Sequence, residues 1–252
     1  MRRFFVDTII TTTGVVSITG KEARHISSVL RMKNGDTLVI MDGKGNLFEA
    51  TVEMSHRKEV KVRINKSISP PPPSPIEINL GVALIKSHPM DYLIQKTTEL
   101  GVSTITPFFS ERTVRKSRQG HLIRKMDRWT EIMRSACKQC GRPTLPVLSP
   151  PLPFQELTKN APGQNTLKLL LWENEDKTGL KEVLRSLSPV PRVLALVGPE
   201  GGFTENEINL AREAGFQTIS LGNRILRTET AAVSLISIIQ YEWGDLNVSH
   251  RH

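Results

Sequence analysis

Two glycine-marked segments near the end of the chain carry the residue types best suited to bind a ligand. Residues 196–203 read LVGPEGGF, and residues 221–232 read LGNRILRTETAA. Each segment follows a short apolar run and precedes a helix-like stretch. In α/β proteins such junctions open into crevices, where helix N-termini present unpaired N–H groups. Two junctions of this kind predict one shared pocket.

The two segments differ in the chemistry that they offer. The glycines of the first let the backbone approach a ligand closely, with Glu200 beside them. The second places Arg224, Arg227 and Glu229 in front of a helix that is nearly all apolar. An ordinary strand-to-helix turn also explains the first segment, and helix capping with surface ion pairs explains the charges in the second. The residues alone leave these alternatives open.

A proline-rich stretch, SISPPPPSP at residues 67–75, divides the chain. Four consecutive prolines exclude helix and favour an extended, stiff spacer. Before it, residues 37–41, 47–54 and 60–64 are β-rich, and residues 21–30 form the one helix candidate. This half is predicted to be a small β-barrel.

After the spacer, strand-like and helical stretches alternate, which predicts an α/β fold with a parallel sheet. The five predicted strands are residues 78–84, 104–108, 167–172, 193–197 and 218–221. Pro89 and Gly101 bracket one helix, and Thr204 with Glu207 forms a capping box that begins another. The glycine-marked segments therefore follow the fourth and fifth strands.

Familiar cofactor and metal motifs are absent from the sequence. A dinucleotide fingerprint would follow the first strand of the sheet, and no phosphate-binding Walker loop is present. Cys137 and Cys140 end a helical stretch, where the helix dipole disfavours thiolate, and no second ligand pair completes a zinc site. We therefore expect no metal.

Positive charge points to a polyanionic partner. The 252 residues carry a net charge of +9. Residues 112–142 hold ten lysines or arginines, against three acidic residues when Glu111 is included. A solvated helix face is the usual interpretation of such a run, but its concentration here favours nucleic acid. The basic residues expected to contact RNA are Arg2, Arg3, Arg24, Arg31, Lys33, Arg112, Arg115, Lys116 and Arg118.

Two cysteines are too few for a disulfide framework, and the first residues lack the long apolar core of a secretory signal. No apolar run approaches the ~20 residues of a membrane span. We expect a cytoplasmic protein that does not associate with membranes.

The order of motifs resembles the RsmE-type ribosomal RNA uridine N3-methyltransferases of the SPOUT superfamily. The resemblance covers nearly the whole chain. It rests on RFFV at 3–6, His25 with VLR at 29–31 and Gly35, QKTTELGV at 95–102, SER at 110–112, RW at 128–129, Ala136, QC at 139–140, Arg142 and both glycine-marked segments.

The resemblance implies a PUA-like β-barrel that binds RNA at residues 1–69, a linker at 70–75, a SPOUT domain with a C-terminal trefoil knot at 76–246, and a tail at 247–252. It also implies a homodimer, S-adenosylmethionine as cofactor, and 16S rRNA or the small ribosomal subunit as partner. The implied cofactor-binding residues are Leu171, Trp172, Val197, Gly198, Pro199, Glu200, Gly201, Gly202, Leu221, Gly222, Asn223, Arg224, Ile225 and Leu226.

The implied reaction is methylation of N3 of a uridine. Because N3 carries a weakly acidic proton, a carboxylate, Glu229 or Glu200, is expected to accept it. Arg227 is expected to stabilise the negative charge that grows on the uracil oxygens, with Arg224 as the alternative. Two other hypotheses remain: a related SPOUT methyltransferase acting on another RNA or another atom, and a ribosome-assembly factor without catalysis.

Overall fold

The computed structural model describes residues 1–6, 14–113 and 119–246, without the side chains of residues 119–121. Two compact units divide these residues. The first comprises Met1–Pro72 and Arg134–Leu145, and the second comprises Pro73–Met133 and Pro146–His252, each within the described part of the chain. The tail at 247–252 lies outside the described residues.

A curled five-stranded sheet forms the first unit. Its strands are β1 (Arg3–Phe5), β2 (Val15–Thr19), β3 (Thr37–Met41), β4 (Leu47–Ser55) and β5 (Glu59–Ile68), in the order β1-β3-β4-β5-β2. Among the strand pairs of the described residues in this unit, only β1–β3 is parallel. Register shifts in β4, at Glu49/Ala50 and Val52/Met54, bend the strand and add twist. Along β2 the side chains alternate, so that Val16 and Ile18 face the core of this unit.

The predicted helix at 21–30 is confirmed with an unexpected ending. Helix α1 (Gly20–Arg24) continues as one π-helical turn, His25–Val29. Ala23 and Ile26 on this segment are completely buried in the core of the first unit. Arg31 follows in the left-handed backbone region at φ 52°, an uncommon conformation for a residue with a Cβ.

A seven-stranded, all-parallel sheet forms the second unit. Its strands are β6 (Glu77–Ala83), β7 (Thr104–Phe109), β8 (Val147–Leu148), β9 (Leu152–Pro153), β10 (Thr166–Leu171), β11 (Arg192–Val197) and β12 (Gln217–Ile219). The order is β12-β10-β11-β6-β7-β8, and β9 also pairs with β7. The five strands predicted from the sequence are confirmed, each with ends shifted by no more than two residues.

In the described chain, five helices connect these strands and a sixth follows the last one: α2 (Ser87–Glu99), α3 (Gln119–Cys140), α4 (Phe154–Lys159), α5 (Leu180–Ser186), α6 (Glu205–Glu213) and, after β12, α7 (Thr228–Trp243). The Thr204–Glu207 capping box that begins α6 is confirmed in both of its hydrogen bonds. In the segments the structure describes, none of the helices is both long and apolar enough to cross a membrane.

Helix α3 belongs to both units. Its residues from Arg134 onward group with the first unit, where Cys137 packs into a buried cluster with Phe5, Val39 and Met41. Burial raises the pKa of the Cys137 thiol to about 12. The thiol is therefore protonated at neutral pH.

Candidate active site

Three neighbouring strands end level with one another and open a cavity of about 850 Å³. In the parallel register, Leu171 of β10 pairs with Val197 of β11 on one side and with Ile219 of β12 on the other. The chain segments that leave these three strands form the walls of the cavity. This is the carboxyl edge of the sheet, where ligands of open α/β proteins bind.

The glycine loop 198–202 forms the first wall, and its two outer glycines meet different requirements. A Cβ on Gly198 would lie 2.8 Å from the ring of Phe203, which is buried against Phe108 and Phe154. Gly202 has φ +69°, a left-handed conformation that side chains rarely adopt, and its N–H donates to the carbonyl of Pro199 at 2.9 Å. The sequence of this loop therefore reflects close packing as well as a tight turn.

The segment 220–228 forms the second wall and ends at α7. The Thr228 hydroxyl donates to the carbonyl of Gly198 at 3.1 Å, so the start of α7 is tied to the glycine loop. Arg224 and Arg227 are exposed. Arg227 is the N-cap residue of α7 and contributes no side-chain capping bond. A guanidinium carries only donors, so it cannot satisfy the free N–H groups at a helix start.

An acidic loop, residues 173–179, forms the third wall. Glu175 holds the loop in shape, because its carboxylate accepts hydrogen bonds from the Thr218 hydroxyl at 2.6 Å and from the N–H groups of Lys177 and Thr178. Burial opposes ionisation of Glu175, but these bonds and the nearby charge of Arg212 lower its pKa. The loop is also bonded to the residue that follows β12, since the Ser220 N–H donates to the Thr178 carbonyl at 2.9 Å.

All fourteen residues expected at the cofactor line this one cavity. Two of the three expected catalytic residues, Glu200 and Arg227, line it as well. Glu229 is the second residue of α7 and is not part of the lining formed by the described chain. Glu200 is partly exposed, and its carboxylate lies 3.7 Å from the ammonium group of Lys86.

The basic residues expected to contact RNA fall in several places. Arg2, Arg3, Arg24, Arg31 and Lys33 are exposed on the first unit. The Arg3 guanidinium donates to the Lys138 carbonyl at 3.3 Å. In the second unit, Arg112 donates to the carbonyl of Gly201 at 2.8 Å. Arg115, Lys116 and Arg118 lie outside the described residues.

The sequence reasoning missed part of the cavity. The predicted cofactor residues after β10 ended at Trp172, so the acidic wall was not included, and the prediction also omitted Glu182, Ser220, Thr228 and Ala231. The rule that ligands bind at strand carboxyl ends could have identified the acidic loop, because the loop directly follows a predicted strand. Within the described chain, no group of histidines, cysteines and carboxylates could hold a metal ion.

Family models match most of the chain. An RNA methyltransferase domain matches residues 72–240, and an RNA methyltransferase PUA domain matches residues 18–65. Ribosomal RNA small subunit methyltransferase E from Buchnera aphidicola is 35% identical over 225 residues, which cover 89% of this chain and 87% of the relative. The protein of the same name from Bacillus subtilis is 32% identical, with 96% and 97% covered.

Solved structures are similar over nearly the full length. Ribosomal RNA small subunit methyltransferase E from Neisseria gonorrhoeae, bound to S-adenosyl methionine, is 33% identical with a TM-score of 0.90, and the match covers 98% of this chain and 99% of that one. A methyltransferase from Legionella pneumophila with bound SAM is 35% identical with a TM-score of 0.89, covering 97% and 98%. The family resemblance seen in the sequence is confirmed: the chain belongs to the RNA methyltransferase family, among the ribosomal RNA small subunit methyltransferase E proteins.

Proposed function

We propose that this protein transfers a methyl group from S-adenosylmethionine to N3 of a uridine in the 16S rRNA of the small ribosomal subunit. One observation carries the proposal: the residues expected at the cofactor line a single cavity, in a chain whose solved relatives hold S-adenosylmethionine. The named relatives act on small-subunit ribosomal RNA, which supplies the substrate class.

The cavity fits the proposed cofactor. Its volume of about 850 Å³ falls within the range of roughly 300–1,000 Å³ that small-molecule sites occupy. Leu171, Trp172 and Val197 offer apolar surface, and the glycine loop offers backbone groups at close approach. When bound, S-adenosylmethionine supplies an electrophilic methyl group on a sulfonium, which needs no metal for activation.

The protein contributes charge and proton transfer. Arg227 lies at the positive end of the α7 dipole and lines the cavity, so it can stabilise negative charge on the uracil oxygens during attack by N3. Glu200 also lines the cavity and is the stronger of the two carboxylate candidates to accept the N3 proton. Its ion pair with Lys86 is exposed and therefore weak, which leaves the carboxylate free to exchange partners.

These roles can be separated by kinetics. We expect Arg227→Ala to lower kcat by about 100-fold or more while cofactor affinity changes little, because the charge it stabilises exists only in the transition state. Glu200→Gln should lower kcat more than Glu229→Gln. Equal losses of turnover and cofactor affinity in Arg227→Ala would contradict its assigned role.

The first unit and the basic run are assigned to RNA. We infer a PUA-like barrel at residues 1–69, a linker at 70–75 and a methyltransferase domain at 76–246, consistent with the two family matches. Neutralising Arg115, Lys116 and Arg118 together should weaken RNA affinity and flatten its dependence on salt. If the salt dependence of RNA affinity were unchanged, these three residues would not be RNA contacts.

The proposed enzyme is a homodimer with a C-terminal trefoil knot and acts in the cytoplasm, where ribosomes assemble. Helix α7 supports the dimer because Val233, Ile238 and Tyr241 lie outside its buried face, where a second copy could cover them. Tyr241 on this helix is 63% exposed, and Ile225 just before it is 88% exposed. A cavity of about 420 Å³ lies between the segment 221–226 and the α7 residues Ser234 and Ile238, and a second copy could fill it.

Two measurements test the proposed function. Calorimetric titration with S-adenosylmethionine should show binding, whereas the assembly-factor hypothesis predicts none. Incubation with methyl-labelled S-adenosylmethionine and small ribosomal subunits that lack the modification should then transfer label to 16S rRNA. Label found only on another RNA would favour a related methyltransferase with a different substrate.

A further inference from the structure

A buried carboxylate links two distant parts of the second unit. Glu207 on α6 is only 2% exposed. Its Oε2 accepts hydrogen bonds from the Thr204 N–H at 3.0 Å and from the Ser110 hydroxyl at 3.2 Å, and its Oε1 accepts one from the Glu111 N–H at 3.0 Å. A capping box needs only the first of these bonds. The other two join the start of α6 to the turn that follows β7.

This turn presents Arg112 to the glycine loop. The turn is closed internally, since the Ser110 N–H donates to the Thr113 hydroxyl at 2.8 Å and the Thr113 N–H donates to the Ser110 carbonyl at 3.0 Å. The Arg112 guanidinium donates to the Gly201 carbonyl at 2.8 Å, a charge-assisted bond. The aliphatic part of Arg112 lies on the side of Gly201 where a side chain would stand, since an added Cβ there would be 3.6 Å from the Arg112 Cβ.

We propose that Glu207 and Arg112 form a brace that holds the glycine loop in its binding conformation, and that both are positioning residues for the cofactor. This inference rests on the proposed function of the cavity. A loop with three glycines loses much conformational freedom when it binds a ligand. A loop that is already fixed loses less, and its affinity is correspondingly higher. Arg112 then serves the cofactor pocket instead of RNA, which the sequence had assigned to it.

Hydrogen–deuterium exchange of the ligand-free protein tests the brace directly. Arg112→Ala should speed exchange in peptides that cover residues 198–203, because Gly201 loses its anchor. Arg57→Ala is the matched control, since Arg57 is an exposed arginine of the first unit and is not among the residues expected to contact RNA or the cofactor. It should exchange like the wild type. Unchanged exchange in Arg112→Ala would overturn the proposal.

Binding measurements separate the brace from an RNA contact. Arg112→Ala should weaken S-adenosylmethionine binding roughly fivefold to tenfold, the scale of one charge-assisted hydrogen bond at a partly exposed site. It should raise KM for the cofactor, keep kcat at saturation within about twofold, and leave the salt slope of small-subunit binding unchanged. Arg112→Lys keeps the charge but not the planar guanidinium, so it should only partly restore affinity. Normal cofactor affinity together with a flatter salt slope would instead make Arg112 an RNA contact.

Glu207→Gln tests the other half of the brace. Glutamine keeps the shape and one oxygen for the helix cap, but it places an NH₂ group against one of the N–H donors. Exchange should accelerate at residues 110–113 and 198–203 in this variant. If Glu207→Gln fails to fold, Arg112→Ala still tests the brace, because Arg112 is exposed and outside the core. If the wild type binds no S-adenosylmethionine, the proposed function fails. The brace is then tested by hydrogen–deuterium exchange alone.

Discussion

Substitution of Gly198 by alanine tests whether glycine is required at this position by close packing within the protein or by access of a ligand to the backbone. The added Cβ would lie 2.8, 3.0 and 3.2 Å from three atoms of the Phe203 ring. Phe203 is 4% exposed and stacks on Phe108 at 6.2 Å between ring centroids, so it has little room to retreat. Gly198 is outside the left-handed backbone region, and alanine therefore brings a steric cost without backbone strain.

The size of the effect follows from this overlap. Extra atoms in a filled core cost about 1–3 kcal/mol. For a protein of this length, 1 kcal/mol lowers the melting temperature by about 2–4 °C, so we expect a fall of roughly 2–12 °C. The Gly198 carbonyl also holds the Thr228 hydroxyl, so a shifted strand end moves the start of α7. If about 1.4 kcal/mol of that cost destabilises the conformation of the cavity that binds the cofactor, cofactor affinity becomes tenfold weaker.

Thermal denaturation and calorimetric titration with S-adenosylmethionine measure both effects. Gly163→Ala is the control, because nothing lies within 4 Å of its added Cβ. It should melt within a few degrees of the wild type. Adding Phe203→Leu to Gly198→Ala should recover part of the loss, and the double-mutant cycle should show a favourable coupling. Wild-type stability and affinity in Gly198→Ala would refute the packing explanation.

Four further predictions concern Thr228, the two cysteines, Glu175 and Tyr241. Thr228→Val removes the hydroxyl bonded to the strand-end carbonyl and should cost about 1–3 kcal/mol in urea unfolding, whereas serine should largely restore it. Iodoacetamide at neutral pH should label the exposed Cys140 and spare Cys137, whose pKa is raised to about 12, so intact mass should show one adduct before denaturation and two after. Because folding lowers the pKa of Glu175, its stabilising effect should be present above about pH 4.3 and be lost as the pH falls through the lowered value; unfolding of Glu175→Gln should be less sensitive to pH in that range. Tyr241→Asp should convert the proposed dimer to a monomer in sedimentation, and an unchanged sedimentation coefficient would exclude this face as the interface.

Local sequence signals predicted much of the second unit. Short apolar runs bounded by turn residues located five of the seven strands in the described sheet, because a buried parallel strand is apolar along its length; the two-residue strands β8 and β9 were too short to be seen. The Thr204–Glu207 capping box was likewise predictable, since both partners lie within one turn of α6. The rule that ligands bind at the carboxyl ends of parallel strands then predicted that the two glycine-marked segments would line one cavity, as they do.

Features that depend on distant contacts were not predictable. The bonds from Ser110 and Glu111 to Glu207 join residues about a hundred positions apart, and the sequence around Glu207 reports only its local cap. The π-helical turn at His25–Val29 has no distinct local pattern, because its burial of Ile26 depends on the folded sheet. The sequence around Cys137 is that of any cysteine at a helix end. Its burial in a cluster with Phe5 and Met41 is evident only in the folded unit.

Identification of the methylated atom tests the central proposal most directly. Small ribosomal subunits that lack the modification would be incubated with the protein and S-adenosylmethionine, and their 16S rRNA would be digested to nucleosides and analysed by mass spectrometry. The proposed function predicts that 3-methyluridine is formed, and that Arg227→Ala forms little of it. A methyl group on a ribose hydroxyl or on another base, or no methylation by protein that binds the cofactor, would contradict it.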